Sequence, residues 1–237
     1  MTGRPDLGAA AKSAVRPPRL DGGDLFDRAA PARGVRVKIC GVTRLEDALA
    51  AARLGADALG FNFWPRSKRF VAPEAAGAIV RRLPPGIATF GVFVDPTRDE
   101  VLAAIAASGV GVAQLHGDES PALCVSLPVP VVKGIRVASS RALAQLASYE
   151  VRAFLLDSAS AGYGGSGALC DWSLAAAVAR ELPVLLAGGL SPENVAEAVR
   201  TVRPLGVDVA SGVESAAGVK DVARMEAFIR AAREASK

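Results

Sequence analysis

From Gly34 onward, apolar residues recur in two alternating rhythms. Short apolar runs cover Val35 to Cys40, Ala58 to Phe63, Ala88 to Phe93, Gly111 to Leu115, Val131 to Ile135, Ala153 to Leu156, Val184 to Ala187 and Gly206 to Ala210. Their length and branched side chains predict eight strands. Between them, Leu45 to Leu54, Pro73 to Leu83, Thr97 to Ala107, Trp172 to Glu181 and Pro192 to Arg200 place apolar residues three and four apart, the spacing of helices packed against a sheet. Alternation of this kind implies parallel strands joined by crossover helices. Eight repeats favour an α/β fold closed as a single (β/α)8 TIM barrel, with an open doubly wound sheet as the other arrangement. In such barrels the chemistry sits at the C-terminal ends of the strands and in the loops that follow them.

Residues 1–33 lack either rhythm. They carry Pro17-Pro18 and Gly22-Gly23 and read as a flexible N-terminal tail, with residues 34–237 as the catalytic barrel domain. The 237-residue length is enough for one sizeable core, and 51% hydrophobic against 22% charged residues belongs to a globular chain. No apolar run approaches the roughly 20 residues of a membrane helix, and the N-terminus lacks the order of a secretory signal, so a cytoplasmic protein with no membrane partner is expected. Cys40, Cys124 and Cys170 are widely spaced, with no CxxC pair or nearby His, which suggests neither a disulfide framework nor a metal site. A net charge of +4 spread along the chain argues against nucleic acid and suits an anionic small molecule.

The strand ends narrow the chemistry. In the first strand Val35, Val37 and Ile39 share one face, which turns Lys38 and Cys40 toward the barrel axis. In the sixth, Phe154 and Leu156 face the helices, while Leu155 and Asp157 face inward, so Asp157 is expected across the mouth from Cys40. A thiol and a carboxylate at one pocket can divide the work of base and acid. Taken singly, each has another reading: Cys40 as a small core residue, Asp157 as a loop cap.

Gly188-Gly189 after strand seven and Ser211-Gly212 after strand eight suit a phosphate cradle of backbone N–H groups, or alternatively plain turns. Gly164-Gly165-Ser166, in the glycine-rich stretch after strand six, can close over a bound substrate and add further amides, or be no more than a disordered connection. Arg69, after strand two, can hold a planar carboxylate through two parallel hydrogen bonds, though by itself it also reads as a solvated charge. Gln114 and His116, the only histidine, share one face at the end of strand four, where His116 is read as a cavity wall or hydrogen-bonding group and not as a base.

Taken in order, Lys38-Ile39-Cys40-Gly41, Gly60-Phe61-Asn62-Phe63 with Ser67-Lys68-Arg69, Gly91-Val92-Phe93-Val94 and Gln114-Leu115-His116-Gly117 resemble the phosphoribosylanthranilate isomerases of tryptophan biosynthesis. The same order continues through Leu155-Leu156-Asp157, Gly164-Gly165-Ser166-Gly167, Asp171-Trp172, Gly188-Gly189-Leu190-Ser191-Pro192-Glu193-Asn194 and Asp208-Val209-Ala210-Ser211-Gly212-Val213-Glu214. The resemblance implies a TIM barrel. It implies Cys40 as general base, Asp157 as general acid, Arg69 as the holder of the anthranilate carboxylate, and Asp208 as a further cavity residue. It also implies a small-molecule phosphorylated substrate, no cofactor, and a monomer or homodimer. Ala210 departs from the pattern, which often has Ser there, and the first 34 residues have no counterpart in it.

The family reaction is the Amadori rearrangement of N-(5-phosphoribosyl)anthranilate to 1-(2-carboxyphenylamino)-1-deoxyribulose 5-phosphate. It asks for a thiolate and a protonated carboxyl group, whereas the unperturbed pKa values are about 8.5 and about 3.9, and Lys38 is expected to lower the first. The histidine-pathway Amadori isomerase shares barrel and chemistry but is expected to use aspartates at the ends of strands one and five, where this chain has Cys40 and Lys133-Gly134. A non-catalytic phosphate-metabolite binding barrel is the reading from another class.

Overall fold

The computed structural model describes residues 25–26, 34–137, 145–158 and 171–237. Eight parallel strands run β1 (Arg36–Cys40), β2 (Ala58–Asn62), β3 (Ala88–Phe93), β4 (Val112–Leu115), β5 (Val131–Val137), β6 (Ala153–Ser158), β7 (Val184–Leu186) and β8 (Gly206–Val209). Each pairs with the next, and β8 pairs with β1 to close the barrel, with Lys38 opposite Asp208 in that last register. The TIM barrel is therefore present and the open sheet is not.

The helices are α1 (Leu45–Arg53), α2 (Pro73–Val80), α3 (Arg98–Ser108), α4 (Pro121–Ser126), α5 (Trp172–Ala179), α6 (Val195–Val202) and α7 (Val222–Ala235). Their starts follow local hydrogen-bond chemistry. Thr97 accepts from the Glu100 N–H while its own N–H donates to the Glu100 carboxylate, so the start of α3 has two of its backbone donors satisfied. Asp171 and Asp221 accept backbone N–H bonds at the starts of α5 and α7. Helix α6 starts three residues later than the apolar spacing predicts. Asn194 accepts from the Ser191 N–H and donates to the Gly189 carbonyl, which ties this turn to the glycine loop after β7.

Strand parity divides the core in two. Val37 and Ile39 are fully buried in the layer between sheet and helices, together with Phe154 and Leu156. Ala58, Phe90, Val112, Val132, Ala153, Leu155, Leu185 and Ala187 form the inner cluster. This is the packed interior expected of the fold. Two residues of the N-terminal segment join it: Leu25 and Phe26 are buried, and the Phe26 ring meets Phe90 edge-on at 6.3 Å and lies under the Arg152 guanidinium. Ala58, Val112 and Ala153 stand at or near the starts of their strands, so Leu25 and Phe26 sit at the N-terminal end of the barrel, away from the strand C-termini.

A small antiparallel hairpin, β9 (Glu214–Ala216) and β10 (Val219–Lys220), follows β8 and was not foreseen from the sequence.

Candidate functional site

The cleft at the C-terminal ends of the strands is lined by Cys40, Arg69, Gln114, His116, Asp157, Gly188, Gly189, Asp208 and Ser211, so residues expected at the ends of six strands meet in one place. Asn62, Trp64 and Leu190 also line it. These three were not singled out from the sequence, although Trp64 on the loop after β2 had the same positional signal as Arg69. A second cavity of about 630 Å³ lies at the other end of the barrel, beside Arg36, Arg200, Arg203 and Lys237, and contains none of the strand-end chemistry.

Inside the barrel, Lys38 is 2% and Asp208 8% exposed, and the Lys38 Nζ donates to Asp208 Oδ1 at 2.8 Å. Cys40 lies against this pair. A Cβ placed on Gly60, the β2 neighbour of Cys40, would stand 2.8 Å from Cys40 Sγ and 3.0 Å from Lys38 Nζ, so the glycine makes room for both. Burial pushes the Cys40 thiol above its ordinary pKa and the Asp208 charge pushes the same way, against the pull of Lys38 and Lys220. Lys38 acts in the expected direction, but Asp208 neutralises much of its charge and the thiol is raised overall.

Asp157 ends an inward-facing row on β6. Its Oδ2 lies 3.3 Å from His116 Nε2, and His116 Nδ1 lies 3.1 Å from Gln114 Nε2. With the Gln114 amide donating to Nδ1, the proton sits on Nε2 and points at Asp157. Asp157 Oδ1 accepts from the Ser158 N–H at 2.7 Å. Burial alone would raise the Asp157 pKa, but the His116 contact and the Ser158 bonds outweigh it and hold the carboxyl below its usual value. Gln114 Oε1 is buried without a hydrogen-bond partner among the described residues.

The loop carrying His116 is fastened from outside the barrel. Lys133 donates to the carbonyls of Gly117 and Gly134 and pairs with Glu119 at 3.0 Å, while Glu119 accepts from the N–H groups of Gly117 and Asp95. Gly134 leaves space for the imidazole, since a Cβ there would stand 2.8 Å from the His116 ring. Lys133 and Gly134, expected at the end of the strand, lie mid-strand because β5 continues to Val137, and there they support His116 and offer no second carboxylate.

Two glycine loops, after β7 and after β8, meet on the side of the mouth where β8 borders β1. Gly188 and Gly189 have φ of +85° and +65°, conformations that ordinary residues rarely adopt. A Cβ on Gly188 would stand 2.5 Å from the Ser158 nitrogen and 2.8 Å from Asp157 Oδ1. A Cβ on Gly212 would stand 2.0 Å from the Leu190 carbonyl oxygen, so the loops after β7 and β8 pack backbone to backbone. Gly212 serves that contact and does not line the cleft, whereas Ser211 does. Gly164, Gly165 and Ser166 lie outside the described residues.

Arg69 is not a free surface charge. Its Nε donates to Glu214 Oε1 at 2.7 Å and its Nη2 to Glu214 Oε2 at 2.6 Å, and its stem crosses Gly41 where a Cβ would be 2.4 Å from Arg69 Cδ. Glu214 also accepts from the buried Lys220 at 2.8 Å. Neither Glu214 nor Lys220 was a sequence candidate: one was visible only as the last letter of a motif, the other not at all.

The sequence profile of the family described as PRAI, N-(5'phosphoribosyl)anthranilate (PRA) isomerase, matches residues 37–231. The N-(5'-phosphoribosyl)anthranilate isomerase of Myxococcus xanthus is 51% identical over 204 residues, covering 84% of this chain and 96% of its own. That of Geobacter sulfurreducens is 49% identical over 200 residues, covering 84% and 98%. Among solved structures, the phosphoribosyl anthranilate isomerase of Thermotoga maritima superposes with a TM-score of 0.81 at 42% identity, covering 84% of this chain and 99% of that one. A phosphoribosyl anthranilate isomerase in complex with reduced 1-(o-carboxyphenylamino)-1-deoxyribulose 5-phosphate gives 0.77 at 39%, with the same coverage.

Proposed function

The chain belongs to the N-(5'-phosphoribosyl)anthranilate isomerase family, an isomerase of tryptophan biosynthesis acting on a small phosphorylated substrate, and we propose that it carries out the Amadori rearrangement with Cys40 as general base and Asp157 as general acid. The observation that carries this reading is that a thiol and a carboxylate line one cleft, with Arg69 and the Gly188–Gly189 and Ser211 loops beside them. The substrate has a carboxylate at one end and a phosphate at the other, and the cleft offers a guanidinium and a pair of backbone loops.

In the proposed sequence Asp157 gives its proton to the furanose ring oxygen. The C1–O bond breaks, and the nitrogen lone pair forms a C1=N iminium. Cys40 takes the proton from C2, the C–H electrons form the C1=C2 bond, and the iminium π electrons return to nitrogen. The enolamine then loses the C2 hydroxyl proton and gains one at C1, giving the aminoketose. The iminium itself is the electron sink.

The protonation states follow from charges that arrive with the substrate. Within the protein's own charges burial favours the neutral Cys40 thiol, while His116 and Ser158 favour the ionised Asp157 carboxylate, the reverse of the pair the reaction needs. A phosphate on the glycine loop would place negative charge beside Asp157, because Gly188 stands directly against its Oδ1, and so favour the protonated acid. The iminium adds positive charge next to C2 and stabilises the thiolate when it is needed. His116 orients Asp157 through its Nε2.

The test is the loss of substrate fluorescence on mixing with wild type, Cys40→Ala and Asp157→Asn. Each variant is expected to lose at least about 10²-fold in kcat, the lower bound for one general acid or base. Retained activity in both would refute the assignment. Binding without turnover in wild type would favour the non-catalytic reading.

A further inference from the structure

The Arg69 contacts carry more than the carboxylate assignment. A guanidinium has two edges able to hold a carboxylate, one formed by Nε and one Nη, the other by both terminal nitrogens. Glu214 occupies the first with both its oxygens. Among the described residues no other group is hydrogen-bonded to the guanidinium, so its terminal edge remains for a second carboxylate, its direction set by the first.

Glu214 is itself held from three sides. The Lys220 ammonium, with no exposed side-chain surface, donates to Glu214 Oε1 at 2.8 Å, to the Cys40 carbonyl at 2.6 Å and to the Ala210 carbonyl at 3.1 Å. The Gly218 N–H donates to Glu214 Oε1 at 3.3 Å, and Thr43 Oγ1 donates to the Gly218 carbonyl at 2.6 Å, which fastens the β9–β10 turn to the segment after β1. The Lys220 N–H donates to Asp47 on α1. Burial would raise the Glu214 pKa, but Arg69 and Lys220 hold it below the usual carboxylate value, so it stays charged. One chain of contacts thus runs from the backbone of Cys40 through Lys220 and Glu214 to the Arg69 guanidinium. Burial lowers the Lys220 pKa against the pull of Glu214, and with both cations protonated the charges sum to one positive unit, the complement of a single carboxylate.

We propose that Glu214, braced by Lys220, is a positioning residue that aims the terminal edge of Arg69 at the substrate carboxylate in fixed register with Cys40. The inference rests on the reading of Arg69 as the carboxylate holder and extends it. Glu214 contacts no substrate atom in this scheme.

Glu214→Asp separates aim from charge, because it keeps the negative charge and withdraws it by one methylene. The probes are reduced 1-(o-carboxyphenylamino)-1-deoxyribulose 5-phosphate and the same compound without its carboxylate, titrated calorimetrically. Glu214→Asp is expected to weaken the carboxylate ligand about tenfold, roughly the loss of one well-aligned hydrogen bond to a charged group, and to leave the descarboxy ligand within about twofold. In an Arg69→Met background the Asp substitution should have no further effect on either ligand. If Glu214→Asp weakens both ligands alike, or neither, the positioning role is wrong. If Arg69→Met itself leaves the carboxylate ligand's affinity unchanged, the underlying reading of Arg69 fails instead. Should Glu214→Asp not fold, Glu214→Gln keeps the length but cannot serve Arg69 and Lys220 together as a carboxylate does, and the same selective loss is expected of it.

Discussion

Phe26 offers a quantitative test of what the N-terminal segment does for the barrel. It is 6% exposed and Leu25 8%, both against the inner cluster at the end away from the chemistry. Fully burying such side chains is worth about 1.5–3 kcal/mol each, or roughly 3–6 together. Ordering two residues costs about 1–2 kcal/mol apiece in backbone entropy, which at the midpoints of the two ranges leaves a docking free energy of about 1–2 kcal/mol. That net value, and not the roughly 3–5 kcal/mol of a Phe→Ala change in a fixed core, caps the effect, because the segment can release once its anchor is gone. At about 2–4 °C per kcal/mol for a domain of this size, Phe26→Ala should melt about 2–8 °C below wild type. Removing residues 1–33 should lower the melting temperature by a similar amount. The measurement is thermal unfolding by far-ultraviolet circular dichroism, with kcat/KM recorded alongside and expected to stay unchanged. A shift under about 1 °C would show that the packing of Leu25 and Phe26 contributes no net stability. A fall in kcat/KM would contradict the separation of the two ends.

Two other outcomes follow from the interior of the cleft. Alkylation of Cys40 by iodoacetamide, read from peptide masses, requires the thiolate. Burial and the Asp208 charge raise this thiol, so the reaction should have a pH midpoint above the roughly 8.5 of an unperturbed thiol. Asp208→Asn removes an upward push and leaves the Lys38 charge unneutralised, so its midpoint should fall; an unchanged or higher midpoint would contradict the pairing. Gly60→Ala introduces a Cβ 2.8 Å from Cys40 Sγ and 3.0 Å from Lys38 Nζ. Displacing the base on that scale should lower kcat by about 10²-fold with a stability cost of about 1–3 kcal/mol, and near-normal turnover would mean the thiol has room to move.

The apolar rhythm alone determined the eight strands, the parallel order and the end of the barrel to inspect, because strand period and helix period are properties of consecutive residues. Parity carried further: Lys38, Cys40, Gln114 and Asp157 face inward because their neighbours Val37, Ile39, Leu115 and Leu156 are apolar and belong to the outer layer. The ordered motifs also led to the family. What the chain could not reveal from local pattern are the contacts made across large separations. Arg69 looked like a solvated charge until Glu214, 145 residues later, was found holding it. Lys220 had no signal at all, yet it reaches the backbone of Cys40, 180 residues earlier. Leu25 and Phe26 lie in a stretch whose composition reads as a tail, and their burial depends on an apolar opening that exists only once the strands close. The upward shift of the Cys40 thiol likewise arises only in three dimensions, first from its burial. Lys38 beside it on the strand suggested an activated thiol, but Asp208, brought alongside by closure of β8 on β1, takes up that charge. Period and parity are local geometry and are written in sequence; the balance of charges in a closed barrel depends on which strands become neighbours.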